Sequence, residues 1–244
     1  MDGFAVANLH PLIRQRTDSP WRTSEKRGRS RGFTLLELLV VIGIISILLV
    51  AVIPAVTSLS KSSGRKGAIS NLLGAIEQAR ALAIKDGKSA YVAFATGSLP
   101  SADLQREYGY RAYAIFEDDA TGNPNVQVTN WKKLPTGVSL RAINRLASVT
   151  SVTANGDQLN FPFTPAGSSA SPLSFYCIEY NPSGEVLHPG STNPIVLGLF
   201  EGLATQSSET VTSQKDSNGE PLAAEYISIA RLTGRAEPTA APTP

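Results

Sequence analysis

The run from Phe33 to Val56 constrains this chain more than any other stretch. Almost every residue in it is aliphatic, small or aromatic, and Glu37 is its only charge. About 20 apolar residues suffice to cross a hydrocarbon core of about 30 Å as a helix. A charge at the centre of such a span costs roughly 2.5–3.5 kcal/mol on the mildest scale, so a lone carboxylate near its start needs a reason. Before the run lies a leader carrying Arg22, Lys26, Arg27, Arg29 and Arg31, and the leader ends in Gly32. Excess Lys and Arg mark the cytoplasmic flank of a span; the cluster predicts an N-terminus held inside and a C-terminal part facing outward. A secretory signal peptide fits worse, because its apolar core is about 7–15 residues long and its cleavage site follows that core. An ordinary signal-anchor helix with an incidental glutamate is the alternative that the run alone leaves open.

The stretch Arg31-Gly32-Phe33-Thr34-Leu35-Leu36-Glu37-Leu38 resembles the prepilin signal of type IV pilins and type II secretion pseudopilins. The resemblance implies that a prepilin peptidase cuts between Gly32 and Phe33 and that the new amine of Phe33 is methylated. It also maps the family's glutamate, an assembly residue, onto Glu37. Pro54 falls where pilins commonly carry a proline. Proline removes one helix hydrogen bond and crowds the preceding turn, so a kink or local unwinding is expected there. Gly64 and Gly67, with Ser58, Ser60, Ser62 and Ser63, are expected to weaken the helix beyond it, or to form a linker between anchor and domain.

Over residues 68–85 a helical period returns, with Ile69, Leu72, Leu73, Ile76, Ala79 and Ala83 at three- and four-residue spacing and Asp86-Gly87 as a stop. Ala90–Ala95 then reads as a strand, and this helix-to-strand passage resembles that of GspH/FimT-type minor subunits. Further strands are predicted at Tyr108–Phe116, Val126–Trp131, Val138–Leu140, Leu159–Phe163, Phe175–Tyr180, Ile195–Phe200 and Tyr226–Leu232, separated by turn clusters such as Asn181-Pro182-Ser183-Gly184. Many short strands without intervening helices argue for antiparallel sheets with the helix on one face. Thr205–Asn218 reads as a mobile loop. Ile229–Arg235, with its Thr-Gly-Arg, resembles the closing strand and turn of the GspH/FimT group. The expected fold is α+β and pilin-like: a long N-terminal helix, its first half membrane-spanning, packed on an antiparallel β-sheet domain. The expected organisation is a cleaved cytoplasmic leader (1–32), a membrane and filament-core helix (33–56), helix continuation and linker (57–87), a periplasmic GspH-like domain (88–235) and a disordered tail (236–244).

Chemistry-bearing patterns are absent from the sequence. It has no phosphate-cradling glycine loop, no nucleophile elbow and no histidine pair at ligand spacing, so the chain is not expected to be an enzyme or to need a cofactor. One cysteine, Cys177, excludes an intramolecular disulfide. In its strand pattern Cys177 reads as a small buried residue, and Trp131 and Phe175 read as core. Glu117, Asp118 and Asp119, and likewise Asp216-Ser217-Asn218-Gly219-Glu220, lack the roughly 6–8 oxygen ligands that calcium takes. They read as solvated turns, and no metal is expected. Much of the positive charge lies in the leader, which leaves the part beyond the apolar run near neutral or slightly acidic, so nucleic acid is not an expected partner. The leading function is a minor pseudopilin of a type II secretion system. Its partners would be the prepilin peptidase, other pseudopilins or pilins met through the N-terminal helix, the inner-membrane assembly platform and membrane lipid. The alternative is a FimT-like minor type IV pilin, in pilus assembly or in DNA uptake with Arg231 and Arg235 gripping phosphates, although Glu237 and Pro238 follow where more basic residues would be wanted. The mature protein is predicted to begin at methylated Phe33. Mass spectrometry of its N-terminus checks this, and an intact leader in peptidase-positive cells contradicts it.

Overall fold

The computed structural model describes residues 33–144, 148–167, 171–217 and 219–240, with the backbone alone for 49–63. The expected leader and Gly32 lie outside the described residues, as do Asn218 and tail residues 241–244. The chain divides into two compact units, one ending at Leu49 and one beginning at Val50. A single helix, α1 (Leu35–Asp86), runs through both. Its backbone stays helical through Pro54, Gly64 and Gly67, so no unwinding or non-helical linker interrupts it.

In the second unit the helical period holds as read. Ala68, Ile69, Leu72, Ala75, Ile76, Ala79 and Ala83 form one buried stripe, and Gly87 ends the helix in the left-handed region at φ 64°. That conformation disfavours side chains with a Cβ. Two sheets follow. The first has β1 (Ala90–Phe94) at its centre, with β2 (Ala112–Glu117) and then β3 (Val126–Gln127) on one side, and β8 (Leu173–Tyr180) and then β7 (Gln158–Phe161) on the other. Short β4 (Lys132–Lys133) borders β2, and β9 (Val186–His188) borders β8. The second sheet runs β11 (Ser208–Val211), β10 (Ile195–Thr205), β12 (Glu225–Ile229), β13 (Ala236–Thr239), with β5 (Val138–Leu140) and β6 (Thr150–Ser151) also paired to β10. Among the described strands only β6 and β10 run parallel. The architecture is α+β, a helix on antiparallel sheets.

Side chains alternate across a strand, and β1 uses both faces. Ala90, Val92 and Phe94 join the α1 stripe in a core shared with Leu197, Leu199, Ile227 and Ile229 of the second sheet. Tyr91, Ala93 and Ala95 face an aromatic layer of Phe116, Trp131, Phe161, Phe163 and Phe175 with Cys177. Ring centroids there lie 5.2 Å apart for Trp131–Phe163 and 5.4 Å for Trp131–Phe175, in edge-on geometry. Such pairs contribute about 0.5–1.5 kcal/mol each beyond burial. Trp131, Phe175 and Cys177 are therefore core, as the sequence suggested.

Several expectations give way to the structure. Tyr108 ends a helix, α2 (Ala102–Tyr108), and Tyr110 takes φ 55°, so β2 begins only at Ala112. Thr205–Asn218 is not simply a mobile loop: β10 extends to Thr205 and turns into β11. The tail is not disordered throughout, because Ala236–Thr239 pairs with β12 from Ile229↔Ala236 to Tyr226↔Thr239. A buried ion network was also not anticipated. Arg141 donates to Glu209 (3.0 Å), Glu220 (2.7 Å) and the Tyr226 hydroxyl (3.0 Å), and Glu209 further accepts from the backbone of Ala142 and Ile143. Stripping one partner from a buried pair costs about 3–5 kcal/mol.

The Thr-Gly-Arg turn acquires a physical reason. Gly234 sits at φ 65°, and a Cβ there would lie 2.1 Å from the Gly184 carbonyl oxygen and 2.8 Å from the Tyr180 ring. Two turns touch at this point. Gly234→Ala is predicted to lower stability by about 2–4 kcal/mol, strain and overpacking together. Gly122→Ala, also at positive φ but with open space around it, should lose only about 1–2 kcal/mol. Urea unfolding of the two variants checks this; equal losses contradict the close-contact argument.

Candidate functional site

The start of α1 is built from three side chains. Thr34 precedes the first helical residue, and its carbonyl accepts the first helical bond, from Leu38 N at 3.1 Å. Its Oγ1 accepts from Glu37 N at 3.1 Å, while Glu37 Oε2 accepts from Thr34 N at 3.3 Å and from Thr34 Oγ1 at 3.4 Å. This reciprocal pair is a capping box, Thr-x-x-Glu, which satisfies two of the four amide donors a helix leaves unbonded at its start. The spacing was legible in the sequence and went unread there. It also gives the lone carboxylate a local role: it sits at the positive end of the helix dipole, where an anion is favoured.

Among the described residues nothing covers the helix around this cap. From Phe33 to Leu48 every side chain is exposed, Phe33 itself by 79%. A helix apolar on all sides is one that belongs inside an apolar environment. Among the described residues no helix is long and apolar enough to cross a membrane. The expected span, Phe33–Val56, reaches into residues 49–63, whose side chains lie outside the described ones.

The residues proposed for a phosphate grip are not brought into one. The Arg231 guanidinium donates to the carbonyl oxygens of Pro189 and Ser191, a structural task in a half-buried position. Arg235 is exposed, and its carbonyl accepts from Ala230 N at 2.9 Å. In the acidic turn at Asp119 the carboxylate is bonded to its own loop. Asp119 Oδ1 accepts from Thr121 N (2.8 Å), Thr121 Oγ1 (2.6 Å) and Asn123 N (3.1 Å), and Oδ2 accepts from Asn125 Nδ2 (2.8 Å). Among the described residues no group of three His, Cys, Asp or Glu side chains could hold a metal ion. Burial pushes the Cys177 thiol well above its ordinary range, so it is not a thiolate nucleophile.

The donors on Asp119, the Thr121 hydroxyl foremost, hold its carboxyl well below the usual range. A depressed folded value means that the stabilisation is complete above about pH 4, the ordinary Asp value, and is lost as pH falls through the folded value. Asp119→Asn is predicted to remove that acid dependence from the 119–125 turn and to give up the bond from Asn125, because the new amide sets a donor where Oδ2 accepted. Carboxyl and amide NMR titrations check it; an Asp119 carboxyl titrating near 4 contradicts the donor set.

The comparisons bear on the N-terminal segment. Residues 27–53 match the family model described as the prokaryotic N-terminal methylation motif. No curated protein matches the sequence. Among solved structures, the type IV minor pilin FimU of Pseudomonas aeruginosa is similar at 10% identity, over 72% of this chain and 87% of that one, with a TM-score of 0.35. The minor pseudopilin EpsH from the type 2 secretion system of Vibrio cholerae is similar at 16% identity, over 72% of this chain and 96% of that one, also at 0.35. Likenesses that slight bear on neither fold nor role. The chain thus carries a prokaryotic N-terminal methylation motif at residues 27–53, and its α+β domain lays a helix on antiparallel sheets.

Proposed function

We propose that this chain is a minor pseudopilin, a structural subunit of a type II secretion pseudopilus. One observation carries the reading: behind a methylation motif stands a helix exposed on every side from Phe33 to Leu48, whose single charge is held by its own cap. Apolar surface of that extent has to be covered, by lipid before assembly and by neighbouring helices after it. On this reading the leader is cytoplasmic and removed after Gly32. The helix is held in the inner membrane, and the domain from Lys88 onward faces the periplasm, where the filament forms. The prepilin peptidase, sister subunits and the inner-membrane assembly platform are the partners.

Glu37 then acts as an assembly register. A carboxylate offers about four acceptor sites, and Thr34 uses only one of the two oxygens. The other stays available for the cationic amine that cleavage creates at Phe33. Within one chain the carboxylate is turned to the Thr34 amide and hydroxyl. The amine of a neighbour displaced along the filament meets it instead. Pairing there offsets the cost of an isolated carboxylate in an apolar surround. Commitment of Arg231 to carbonyl oxygens weakens the competing reading of a DNA-gripping minor pilin.

Glu37→Leu is predicted to be inserted and cleaved normally, since removing the charge eases membrane partition, and to enter the filament poorly. Cross-linking of subunits in cells measures this. Wild-type assembly of Glu37→Leu refutes the pairing, and loss of the variant from the membrane points to another role for the residue.

A further inference from the structure

One row of the first sheet carries a buried carboxylate with an unusual set of neighbours. Tyr91 on β1, Glu179 on β8 and His188 on β9 are register partners across three strands. Glu179 is only 7% exposed. Its Oε2 meets His188 Nδ1 in an ion-pair contact, and its Oε1 lies 3.3 Å from the Tyr91 hydroxyl. That hydroxyl also faces Asp118 Oδ1, at 2.8 Å. Burial, then Asp118 and Glu179, push the phenol far up, so it keeps its single proton, which goes to one carboxylate at a time. The nearer one is Asp118. For compensation of its charge, Glu179 therefore depends on His188, whose side chain is 36% exposed.

His188 stands at the head of the segment that joins the two sheets. Val186 N donates to the Arg231 carbonyl at 2.9 Å, and the Arg231 guanidinium donates back to Pro189 and Ser191. Gly190 N donates to Asp157 Oδ2 at 2.5 Å, and the Thr150 hydroxyl donates to Ser191 Oγ at 2.5 Å. Among the described residues, the charged and titratable groups facing this segment are thus Glu179, Tyr91, Asp118, Asp157 and Arg231, and Glu179 meets the imidazole.

We propose that His188 and Glu179 form a proton-gated clasp on the seam between the two sheets, closed while the imidazole is protonated and loosened when it is not. The sign follows from charge. On the acid side of the imidazole titration the buried carboxylate faces a cation, and the pair holds β9 against β8. On the alkaline side the carboxylate is left buried beside a neutral ring, which favours opening of 186–193 and hydration of Glu179. The clasp is independent of the filament reading, since it concerns the closure of the domain itself.

The sequence makes the test clean, because it holds two histidines and His10 is the other. In full-length chain carrying His10→Ala, in detergent, one imidazole NMR signal remains and reports His188 directly. Hydrogen exchange of 186–193, corrected for intrinsic rates, is measured at about pH 5.5 and about pH 8, on either side of the ordinary imidazole range. We expect opening to increase about fivefold at the higher pH, to follow the imidazole signal, and to become flat in His188→Gln. Opening that is flat with pH in the parent chain overturns the clasp, as does a pH dependence that survives in His188→Gln. Should His188→Gln not fold, the parent profile decides alone: opening that does not track the imidazole titration overturns the proposal.

Discussion

The domain depends on one helix stripe that two sheets bury together. Ala68, Ala75, Ala79 and Ala83 lie along the buried stripe of α1, and Ile69, Leu72 and Ile76 are the large residues between them. The small side chains keep the stripe low, and the larger ones project from it into the core. The same stripe shares a single core with Val92 and Ile178 of one sheet and Leu197 and Ile227 of the other. Without the helix both sheets would expose an apolar face, and each buried Leu or Ile contributes about 1.5–3 kcal/mol. Polar contacts then fix the helix in place. Arg65 pairs with Glu201 on β10 and with Glu225 on β12, and Glu77 accepts from Ala236 N at the start of β13. These ties are partly exposed, so they set register more than they add stability.

Where the same helix runs from Leu35 to Leu48, the chemistry is the reverse. No stripe exists, because every position is apolar or small apart from Glu37 and Ser46, and Ser46 returns its hydroxyl to the Ile42 carbonyl at 2.7 Å. A polar group that bonds within its own helix adds no demand on the surroundings. Glu37 is treated likewise by its cap with Thr34. The two halves therefore differ in how they are covered: the second is buried by its own domain, whereas the first has its apolar side chains exposed from Phe33 to Leu48. That division underlies the proposed role as a filament subunit.

Much of this was readable in the sequence, and the limits of that reading are specific. The stripe from Ile69 to Ala83 and the Asp86-Gly87 stop were legible because period and stop signal agree. Strands such as Val138–Leu140 and Ala90–Phe94 were legible because punctuation surrounds them. The separation into two sheets was not, since the long-range pairing of β10 with β5, β6 and β12 leaves no local trace. β10 was read short because Glu201 and Gly202 look like a stop. In the fold Glu201 meets Arg65, and Gly202 passes so close to Thr210 that a Cβ would lie 2.2 Å from its carbonyl oxygen. α2 was hidden by Tyr108 and Tyr110, whose aromatic run imitates a strand. At the candidate site the motif and its glutamate were legible, while Arg231 looked available because sequence does not reveal that two carbonyl oxygens occupy it.

The central claim, that one helix is finished by two different environments, is open to a direct measurement. Cys177 is buried, so single cysteines placed along α1 report their own surroundings. In cells expressing the full chain, cysteines at Leu36, Leu39 and Ile42 should resist a water-soluble thiol reagent, because lipid or sister helices cover them. A cysteine at the exposed Lys66 position should react readily. Equal reactivity along the whole helix, with the Phe33–Leu48 segment open to water in cells, would contradict the account.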